Sequence, residues 1–415
     1  MPKIAMLVSR FPKVNDTYQL REMVALEKMG VPIELFPLVH HDEGMVHDEA
    51  KDFDRRAHYY ELFSWEVLKA QLVWLRRDPA AYLSCWKWGI RENRMAPDFL
   101  LRTFVIIPIA AAMALRMEKL GIEHVHAHFA TYPTHAALVI KTLTGLPYSF
   151  TAHSHDIKVR HDGLVDKIDG SEFFFTCTRH NDDELRAIFG DVVAEKCHVV
   201  YHGIDLEQFA FQPPADDDGI GPLRIVCVAS FEECKGHRYL IEACRLLMKR
   251  GIATELKLVG GNLPNGHDLR GQLVNQVNAA GLADSIEFVG KLPSSGVREA
   301  ITWAEIGALA CCRAPHGHQD GLPNFLTECL AMGRPVVSTE QPGVMELVTD
   351  GVEGFLARAR DAESLADAIE KMAKDPARRA EMGRAGREKV EREHNVTANT
   401  LRLHDVYLER AGRPA

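Results

Sequence analysis

The stretch HQDGLPNFLTECLAMGRPVVST, residues 318–339, has the order of a loop, a helix, a tight turn and a strand. Pro323 is typical of the first helical turn, where a missing amide donor does no harm, and Gly333 is typical of a left-handed helix end. The apolar run at 335–339 then predicts a buried strand. Residues 318–339 therefore indicate one repeat of a doubly wound α/β sheet.

The same alternation of apolar runs and helical segments extends outward in both directions. Strands are predicted at residues 4–8, 32–36, 124–129, 148–151, 173–177 and 198–200, and at 223–230, 255–260, 285–289, 306–311 and 335–339. Such alternation predicts parallel sheets with helices on both faces. It breaks at 212–222, which is rich in Pro, Gly and Asp and indicates a linker.

Two Rossmann-like domains follow, at 1–210 and 222–390, and we expect residues 391–415 to form a helix that returns to the first domain. Parallel sheets bind ligands at the carboxyl ends of their strands, so we expect the two domains to face each other across a cleft that holds the site. Residues 50–103 interrupt the first domain and are rich in Trp, Tyr, Arg and Leu. They are interpreted as a helical insertion packed on the core, or as a surface at a lipid headgroup layer that holds a lipid-linked acceptor.

Composition excludes several classes of protein. The chain has 415 residues, 49 Lys and Arg, 58 Asp and Glu, and a net charge of −9, which disfavours a nucleic-acid partner. Nine cysteines without CxxC pairs indicate reduced thiols rather than a disulfide frame or a zinc site. Residues 104–115, the longest apolar stretch, are shorter than the roughly 20 residues that span a bilayer. We therefore expect a cytoplasmic protein with at most peripheral contact to the inner face of the cell membrane.

The loop and helix start at 320–328 form the first candidate site. A helix is predicted to begin at Gly321, Leu322, Pro323 and Asn324. Except at Pro323, the backbone N–H groups there would be free to bind an anion such as a pyrophosphate. Two acids of the same segment, at 320 and 328, would accept hydrogen bonds from sugar hydroxyls. The alternative is an ordinary capped helix whose acids are solvated.

Histidines form the second candidate cluster. His124, His126 and His128 share one face of a predicted strand, so a metal triad is conceivable. Because no further ligand set can be recognised, packed and hydrogen-bonded histidines are the favoured interpretation, and no metal is expected.

The 318–339 segment resembles the signature of the retaining glycosyltransferases of family 4, which have the two-domain GT-B fold. In their Glu-x₇-Glu pattern, Asp320 stands at the first acidic position and Glu328 at the second. The resemblance implies that Asp320 and the amides after it hold the donor sugar, and that Glu328 holds the nucleotide ribose.

A second motif, VASFEECKG at 228–236, is similar to the family turn whose Arg and Lys clamp the donor diphosphate. Lys235 is kept, whereas Ser230 stands where the family has Arg and supplies one hydroxyl instead of a bidentate clamp. Either Lys235 and the helix dipole suffice, or another base such as Arg313 contributes.

Two further motifs lie in the first half of the chain. HAHF at 126–129 and SFTAHSHD at 149–156 resemble family segments, and the resemblance implies that His153 reaches the donor sugar near the reacting carbon, with His128 and Asp156 as further candidates. FPKVNDT at 11–17 is similar to a family loop, which makes Asp16 and Thr17 candidates for contact with the acceptor or a phosphate.

The resemblance implies transfer of a hexosyl unit, with retention, from a UDP-sugar or GDP-sugar to a saccharide or polyprenyl-linked acceptor in exopolysaccharide biosynthesis. The leaving phosphate would accept the acceptor's proton, so no cofactor or metal is expected. Alternatives are a nucleotide-sugar epimerase of the same fold and a catalytically inactive nucleotide-sugar-binding protein. An NAD-dependent oxidoreductase is disfavoured because no G-x-G-x-x-G follows a predicted strand.

Overall fold

The computed structural model describes residues 2–13, 17–41, 48–153, 155–158, 163–213, 221–263, 268–315 and 317–411. Asp16, a predicted site residue, lies outside the described residues. The chain divides into two compact units. Unit 1 comprises Met1–Val200 and Thr397–Ala415, and unit 2 comprises Tyr201–Val396.

Unit 1 is built on a six-stranded parallel sheet in the order β2-β1-β3-β4-β5-β6. Its strands are β1 (Ile4–Phe11), β2 (Ile33–His40), β3 (His124–His128), β4 (Tyr148–Ala152), β5 (Phe173–Thr176) and β6 (Cys197–Val199). Its helices are α1 (Thr17–Lys28), α2 (Asp48–Arg56), α3 (Trp65–Arg77), α4 (Pro79–Asn93), α5 (Pro97–Leu120), α6 (Tyr132–Thr144), α7 (His155–Lys158), α8 (Leu164–Gly170), α9 (Arg179–Phe189), α10 (Asp191–Lys196) and, from its second residue on, α18 (Val396–Ala411).

Unit 2 holds a second parallel sheet of six strands, in the order β12-β11-β10-β7-β8-β9. Its strands are β7 (Leu223–Val228), β8 (Thr254–Val259), β9 (Ile286–Gly290), β10 (Ile306–Ala308), β11 (Val336–Thr339) and β12 (Gly354–Ala357). Its helices are a 3₁₀ turn (Glu233–Lys235), α11 (His237–Lys249), α12 (Leu269–Ala279), α13 (Ser294–Trp303), α14 (Asn324–Ala331), α15 (Pro342–Leu347), α16 (Ala362–Lys374) and α17 (Pro376–Glu393). The two Rossmann-like sheets confirm the predicted fold class.

The segment that interrupts the first alternation forms α2 to α5, and α5 is the central helix of that group. α5 is 24 residues long and, by length and composition alone, is apolar enough to cross a membrane, whereas the sequence indicated an apolar stretch of only about a dozen residues. Half of its most apolar 18-residue window is buried inside the protein. Trp74 of α3 donates its indole N–H to Ala111 O of α5 at 2.9 Å. These contacts are those of a core helix.

Helix α18 packs on the sheet of unit 1. Tyr407 is buried, and its ring lies 5.6 Å from the ring of Phe173 and 5.9 Å from that of Phe175, both on β5. These aromatic contacts attach the end of the chain to the core that β1 and α1 also form.

Some predicted element boundaries are wrong by a few residues. Pro323 precedes α14 instead of lying in its first turn, and β10 ends at Ala308, after which Leu309 still donates its amide to Val337 O. Strand β12 was not predicted from the sequence. Its first residue, Gly354, lies so close to β11 that an added Cβ would be 2.0 Å from Val336 O.

Candidate functional site

The turn that carries Lys235 lies beyond the carboxyl end of β7 in unit 2. Glu233–Lys235 form one 3₁₀ turn, and Gly236 then adopts φ +66 before α11 begins. A Cβ at Gly236 would be 1.8 Å from Ala310 O, which belongs to the segment after β10. Only glycine tolerates both this φ and this close approach to Ala310 O, so Gly236 allows the turn to pack directly against the segment after β10.

Lys235 forms an ion pair with Asp320. Its Nζ lies 2.6 Å from Oδ1 and 2.8 Å from Oδ2, and the two side chains are only 18% and 15% exposed. Burial alone would lower the pKa of Lys235, but the charge of Asp320 more than offsets burial and holds that pKa above its ordinary value. Cys311 also donates its thiol to Oδ2 at 3.6 Å. The structure thus brings together two predicted site residues in one ion pair.

Ser230 is close in sequence to this pair, but its hydroxyl is engaged locally. Its Oγ donates to Glu232 Oε1, and the other carboxylate oxygen of Glu232 lies 4.0 Å from His318 Nδ1. The position at which the family has Arg is therefore occupied by a hydroxyl directed at a carboxylate. Glu232 is not among the residues predicted from the sequence, although the two acids in the motif at 228–236 were a signal for it.

The loop at 320–323 leads into α14 as the sequence predicted in outline. Pro323 takes the position before the helix with φ −72 and ψ 109, and Leu326 donates its amide to Pro323 O at 3.0 Å. Over the parts of the chain that the structure describes, the amides of Gly321, Leu322 and Asn324 donate no hydrogen bond to the protein. Three unpaired donors at a helix start suit an anion.

Two neighbours complete this loop. Glu328, the fifth residue of α14, is 8% exposed. At Gly343, in the first turn of α15, an added Cβ would be 1.7 Å from Gly321 O, so α15 directly abuts the loop.

Arg313 is not part of the ion pair. It is exposed, its Nε donates to Gly317 O at 3.4 Å, and its carbonyl accepts a hydrogen bond from Arg360. Within the described ranges it forms no hydrogen bond or ion pair with Lys235 or Asp320. A direct contribution of Arg313 to a phosphate clamp stays a prediction.

His153 lies just after β4 in unit 1, and its backbone is held on both sides. Its amide donates to Asp156 Oδ1 at 3.0 Å, and its carbonyl accepts from Asn181 Nδ2 at 2.7 Å. The imidazole centroid lies 4.7 Å from that of Tyr18 and 4.5 Å from that of Phe129. The ring is buried and its position is fixed by these neighbours.

Asp156 links the loops that follow two neighbouring strands. Besides its bond to the amide of His153, its Oδ2 accepts from the amide of Ala130 at 2.8 Å. Its carboxylate therefore positions the chain after β3 and the chain after β4, so Asp156 positions His153. Thr17 is the first residue of α1, the helix that carries Tyr18.

His128 is fully buried at the end of β3, and its ring lies 5.7 Å from that of His153. Its Nε2 lies 3.6 Å from Oε1 of Glu22, a buried acid on α1. Burial raises the pKa of Glu22 to about 8, so this carboxyl holds a proton at neutral pH. Glu22 is not among the residues predicted from the sequence, because an acid on a helix of mixed polar and apolar residues gives no sign that it is buried.

The other strand histidines are hydrogen-bonded inside the sheet. His124 Nε2 lies 2.7 Å from Ser149 Oγ, and the two ring nitrogens of His126 lie 2.9 and 3.0 Å from Ser149 Oγ and Thr151 Oγ1. Glu22, His126 and His128 offer ligand atoms within 4.8 Å of one another, but His126 already uses both nitrogens.

A second group of metal-ligating types, Glu232, Cys234 and His318, lies beside the Lys235 turn with its ligand atoms within 4.8 Å. Burial raises the pKa of the Cys234 thiol. The expectation of a site without metal stays a prediction.

Comparison with known proteins gives two family matches. Residues 37–208 match Glycosyltransferase Family 4, and residues 222–375 match the group 1 glycosyl transferases. AmsK of Erwinia amylovora, an amylovoran biosynthesis glycosyltransferase, is 35% identical over 217 residues, which are 52% of this chain and 51% of that protein. WcaL of Escherichia coli K12, named as a candidate colanic acid biosynthesis glycosyltransferase, is 34% identical over 205 residues, 48% of each chain. The aligned part of the chain spans about half the length of these relatives.

Solved structures share the fold. Anabaena HepE in complex with UDP aligns with a TM-score of 0.73 at 14% identity, covering 98% of this chain and 100% of HepE. Sucrose-phosphate synthase of Thermosynechococcus elongatus aligns with a TM-score of 0.70 at 17% identity, covering 98% of both chains. The two family matches, one in each half of the chain and together covering most of it, show that the chain belongs to the family 4 glycosyltransferases, and the solved structures show its fold, which is GT-B.

Proposed function

We propose that this chain transfers a hexosyl unit from a nucleotide diphosphate sugar to a saccharide or lipid-linked saccharide acceptor in exopolysaccharide biosynthesis. The relatives AmsK and WcaL carry names from amylovoran and colanic acid synthesis, which supports this class of pathway. HepE has been crystallised with UDP and with UDP-glucose, which supports a nucleotide-sugar donor. UDP-sugars and GDP-sugars are both candidate donors.

The observation that carries the proposal is the Lys235–Asp320 pair beside the unpaired amides of the 320–323 loop. An ammonium has three N–H donors, and Asp320 occupies at most two of them, which leaves one for a diphosphate oxygen. A carboxylate accepts about four hydrogen bonds, so Asp320 keeps sites for sugar hydroxyls. One pair can therefore contact both the phosphate and the sugar of the same donor.

Charge builds up on the diphosphate as the bond to the sugar breaks. Lys235 and the amides of Gly321, Leu322 and Asn324 would stabilise that charge, because their positions are set before the reaction begins. His153 would orient the donor sugar near the reacting carbon, and the departing phosphate would take the acceptor's proton. We infer retention at the anomeric carbon and no need for a divalent metal from the family resemblance.

We further propose that the enzyme works in the cytoplasm, at the inner face of the cell membrane. A polyprenyl-linked acceptor would be found there, and nucleotide sugars are water-soluble donors. Contact with the membrane would then be peripheral. It is a surface property separate from the donor site.

The test is turnover with a panel of UDP-sugars and GDP-sugars, for the wild type and for Lys235→Ala. We expect turnover to fall at least a hundredfold in the variant, because removal of one preorganised charge contact costs about 2.7–4 kcal/mol in the transition state. Lys249→Ala, at an exposed lysine near the end of α11, is the matched control. Near-normal turnover of a folded Lys235→Ala protein would contradict the role of Lys235.

Product analysis separates the alternatives. A donor incubated without acceptor should give no epimer, and the new linkage should keep the anomeric configuration of the donor. An epimer would favour the epimerase. Donor binding without any turnover across a broad acceptor panel would favour an inactive binding protein, for which the engaged hydroxyl of Ser230 is the structural argument.

A further inference from the structure

Large exposed apolar side chains are concentrated in one part of unit 1. Of the 20 that the described residues expose, ten lie between residues 63 and 104, a tenth of the chain. Single exposed apolar residues are common on any protein, but a concentration of this kind marks a surface that contacts a partner or a membrane.

Helix α3 arranges four of them in a row. Trp65, Leu68, Leu72 and Leu75 follow one another at spacings of three, four and three residues and are 75%, 47%, 51% and 42% exposed. This spacing places them on one side of a helix. Phe63, just before the helix, is 84% exposed. We call these five residues the α3 stripe.

The opposite side of α3 is already occupied by the core. Val67, Ala70 and Trp74 are buried, and the indole of Trp74 is hydrogen-bonded to α5. The helix is therefore fixed in place by one apolar side and presents a second one to solvent. The α3 stripe therefore adds little to the core of unit 1, and its apolar side chains are accessible to a partner or a membrane.

Basic residues lie along the stripe. Lys69 and Arg76 are exposed, and they follow Trp65 and Leu72 by four residues each, so they lie beside the stripe. Among the residues that the structure describes, neither has an acidic partner. α3 itself carries three basic residues, Lys69, Arg76 and Arg77, and one acid, Glu66, in a protein whose net charge is −9. Of the three, Arg77 is paired with Glu118 of α5.

We propose that the α3 stripe docks on an anionic phospholipid bilayer, with its apolar side chains among the upper acyl chains and Lys69 and Arg76 at the headgroups. Apolar residues that include Trp and Phe, flanked by Lys and Arg, are the composition of helices that lie in a membrane interface. The local positive charge selects an anionic bilayer over a neutral one. Docking would bring the enzyme to a lipid-linked acceptor. This purpose rests on the proposed function, whereas the docking itself is inferred from α3 alone.

Co-sedimentation with vesicles tests the docking. We expect the full chain to bind vesicles of phosphatidylcholine with phosphatidylglycerol at least tenfold more tightly than vesicles of phosphatidylcholine alone. Leu68→Gln/Leu72→Gln and Lys69→Glu/Arg76→Glu should each weaken binding at least tenfold. Met248→Gln/Leu401→Gln, at two sites that are 45% and 49% exposed elsewhere, is the matched control and should bind as the wild type does.

Tryptophan fluorescence gives an independent readout. Trp65 is 75% exposed, so its emission should shift to the blue when anionic vesicles are added, and Trp65→Phe should lose that shift. Equal vesicle binding by the wild type and the Leu68→Gln/Leu72→Gln variant would overturn the proposal. So would absence of binding to anionic vesicles, or self-association of the wild type that the same double variant abolishes.

UDP and GDP binding, measured on the same proteins, separates this inference from the proposed function. The α3 variants should bind nucleotide as the wild type does. If no protein binds a nucleoside diphosphate but the vesicle results hold, the donor assignment fails and the docking surface remains.

Discussion

Lys235 and Asp320 contact each other across 85 residues of sequence, with little solvent between them. A partly buried charge that loses its partner keeps its desolvation penalty without the compensating attraction. The pair therefore does two things: it keeps Lys235 charged, and it fixes the loop before α14 to the turn after β7.

A double-mutant cycle measures this coupling. Lys235→Ala and Asp320→Ala should each lower the free energy of unfolding by about 1–3 kcal/mol, because each leaves the other group unpaired. The double variant should lose less than the sum, with a coupling energy of about 1–2 kcal/mol. Urea unfolding of the four proteins gives these values. Strictly additive losses would show that the two side chains do not stabilise each other.

Glu22 predicts a pH dependence of stability. Its pKa rises from 4.5 to about 8 in the folded protein because of burial. Between these values the folded state keeps a proton that the unfolded state has released, so the contribution of Glu22 to stability falls as the pH rises from about 4.5 to 8. Glu22→Gln, which cannot ionise, should match the wild type at pH 5 and exceed it by on the order of 2–4 kcal/mol at pH 8.

The measurement is urea unfolding of both proteins at half-unit steps of pH. Glu66→Gln, an exposed position on α3, should follow the wild type throughout and serves as the control. A constant difference between Glu22→Gln and the wild type from pH 5 to pH 8 would mean that Glu22 is ionised in the folded protein.

Helix α15 abuts the loop of the candidate donor site, and the approach at Gly343 is backbone to backbone. Gly343 at its start leaves no room for a side chain against Gly321. Where two elements contact each other through backbone atoms, no side chain can rotate to relieve a clash. The position of the loop relative to α15 is therefore fixed.

Gly343→Ala should therefore disturb the 320–323 loop. The added Cβ would lie 1.7 Å from Gly321 O, so the loop or α15 must shift. We expect nucleoside diphosphate affinity to fall at least tenfold, with a loss of about 1–3 kcal/mol in stability. Calorimetry and thermal unfolding check both values.

Gly296→Ala on α13 is the control. There a Cβ would meet only the side chain of Leu292 at 3.2 Å, and alanine is the better helix former. Unchanged affinity and stability in Gly343→Ala would mean that the loop tolerates displacement and that its backbone position is not critical.

Strands and helices were predictable where their patterns are long or bounded by clear signals. β1, β4 and α14 follow from apolar runs and from Gly and Pro at their ends. β12 did not follow, because four residues, GFLA, carry too little pattern. Its pairing with β11 depends on a close approach at Gly354 that only the folded sheet shows.

At the scale of the molecule, the sequence predicted the kind of site better than its contacts. The two doubly wound halves and the family follow from alternation and motifs spread along the chain. The contact of Lys235 with Asp320 does not, because it depends on β10 lying beside β7 in the sheet. The contact of Glu22 with His128 similarly depends on where α1 packs, which periodicity does not specify.

The central claim is that unit 2 holds the diphosphate and ribose of a nucleotide-sugar donor. Titration calorimetry of the full chain with UDP, GDP, ADP and NAD tests it most directly, repeated with Glu328→Ala and with Glu299→Ala as an exposed control. A carboxylate hydrogen bond to a ligand hydroxyl is worth about 1.5–3 kcal/mol, so Glu328→Ala should weaken binding about 10- to 100-fold.

We expect one nucleoside diphosphate to bind with a stoichiometry near one, Glu328→Ala to weaken its binding, and Glu299→Ala to leave its binding unchanged. Binding of NAD alone, or of no nucleoside diphosphate, would contradict the assignment and leave a shared fold without the proposed donor chemistry.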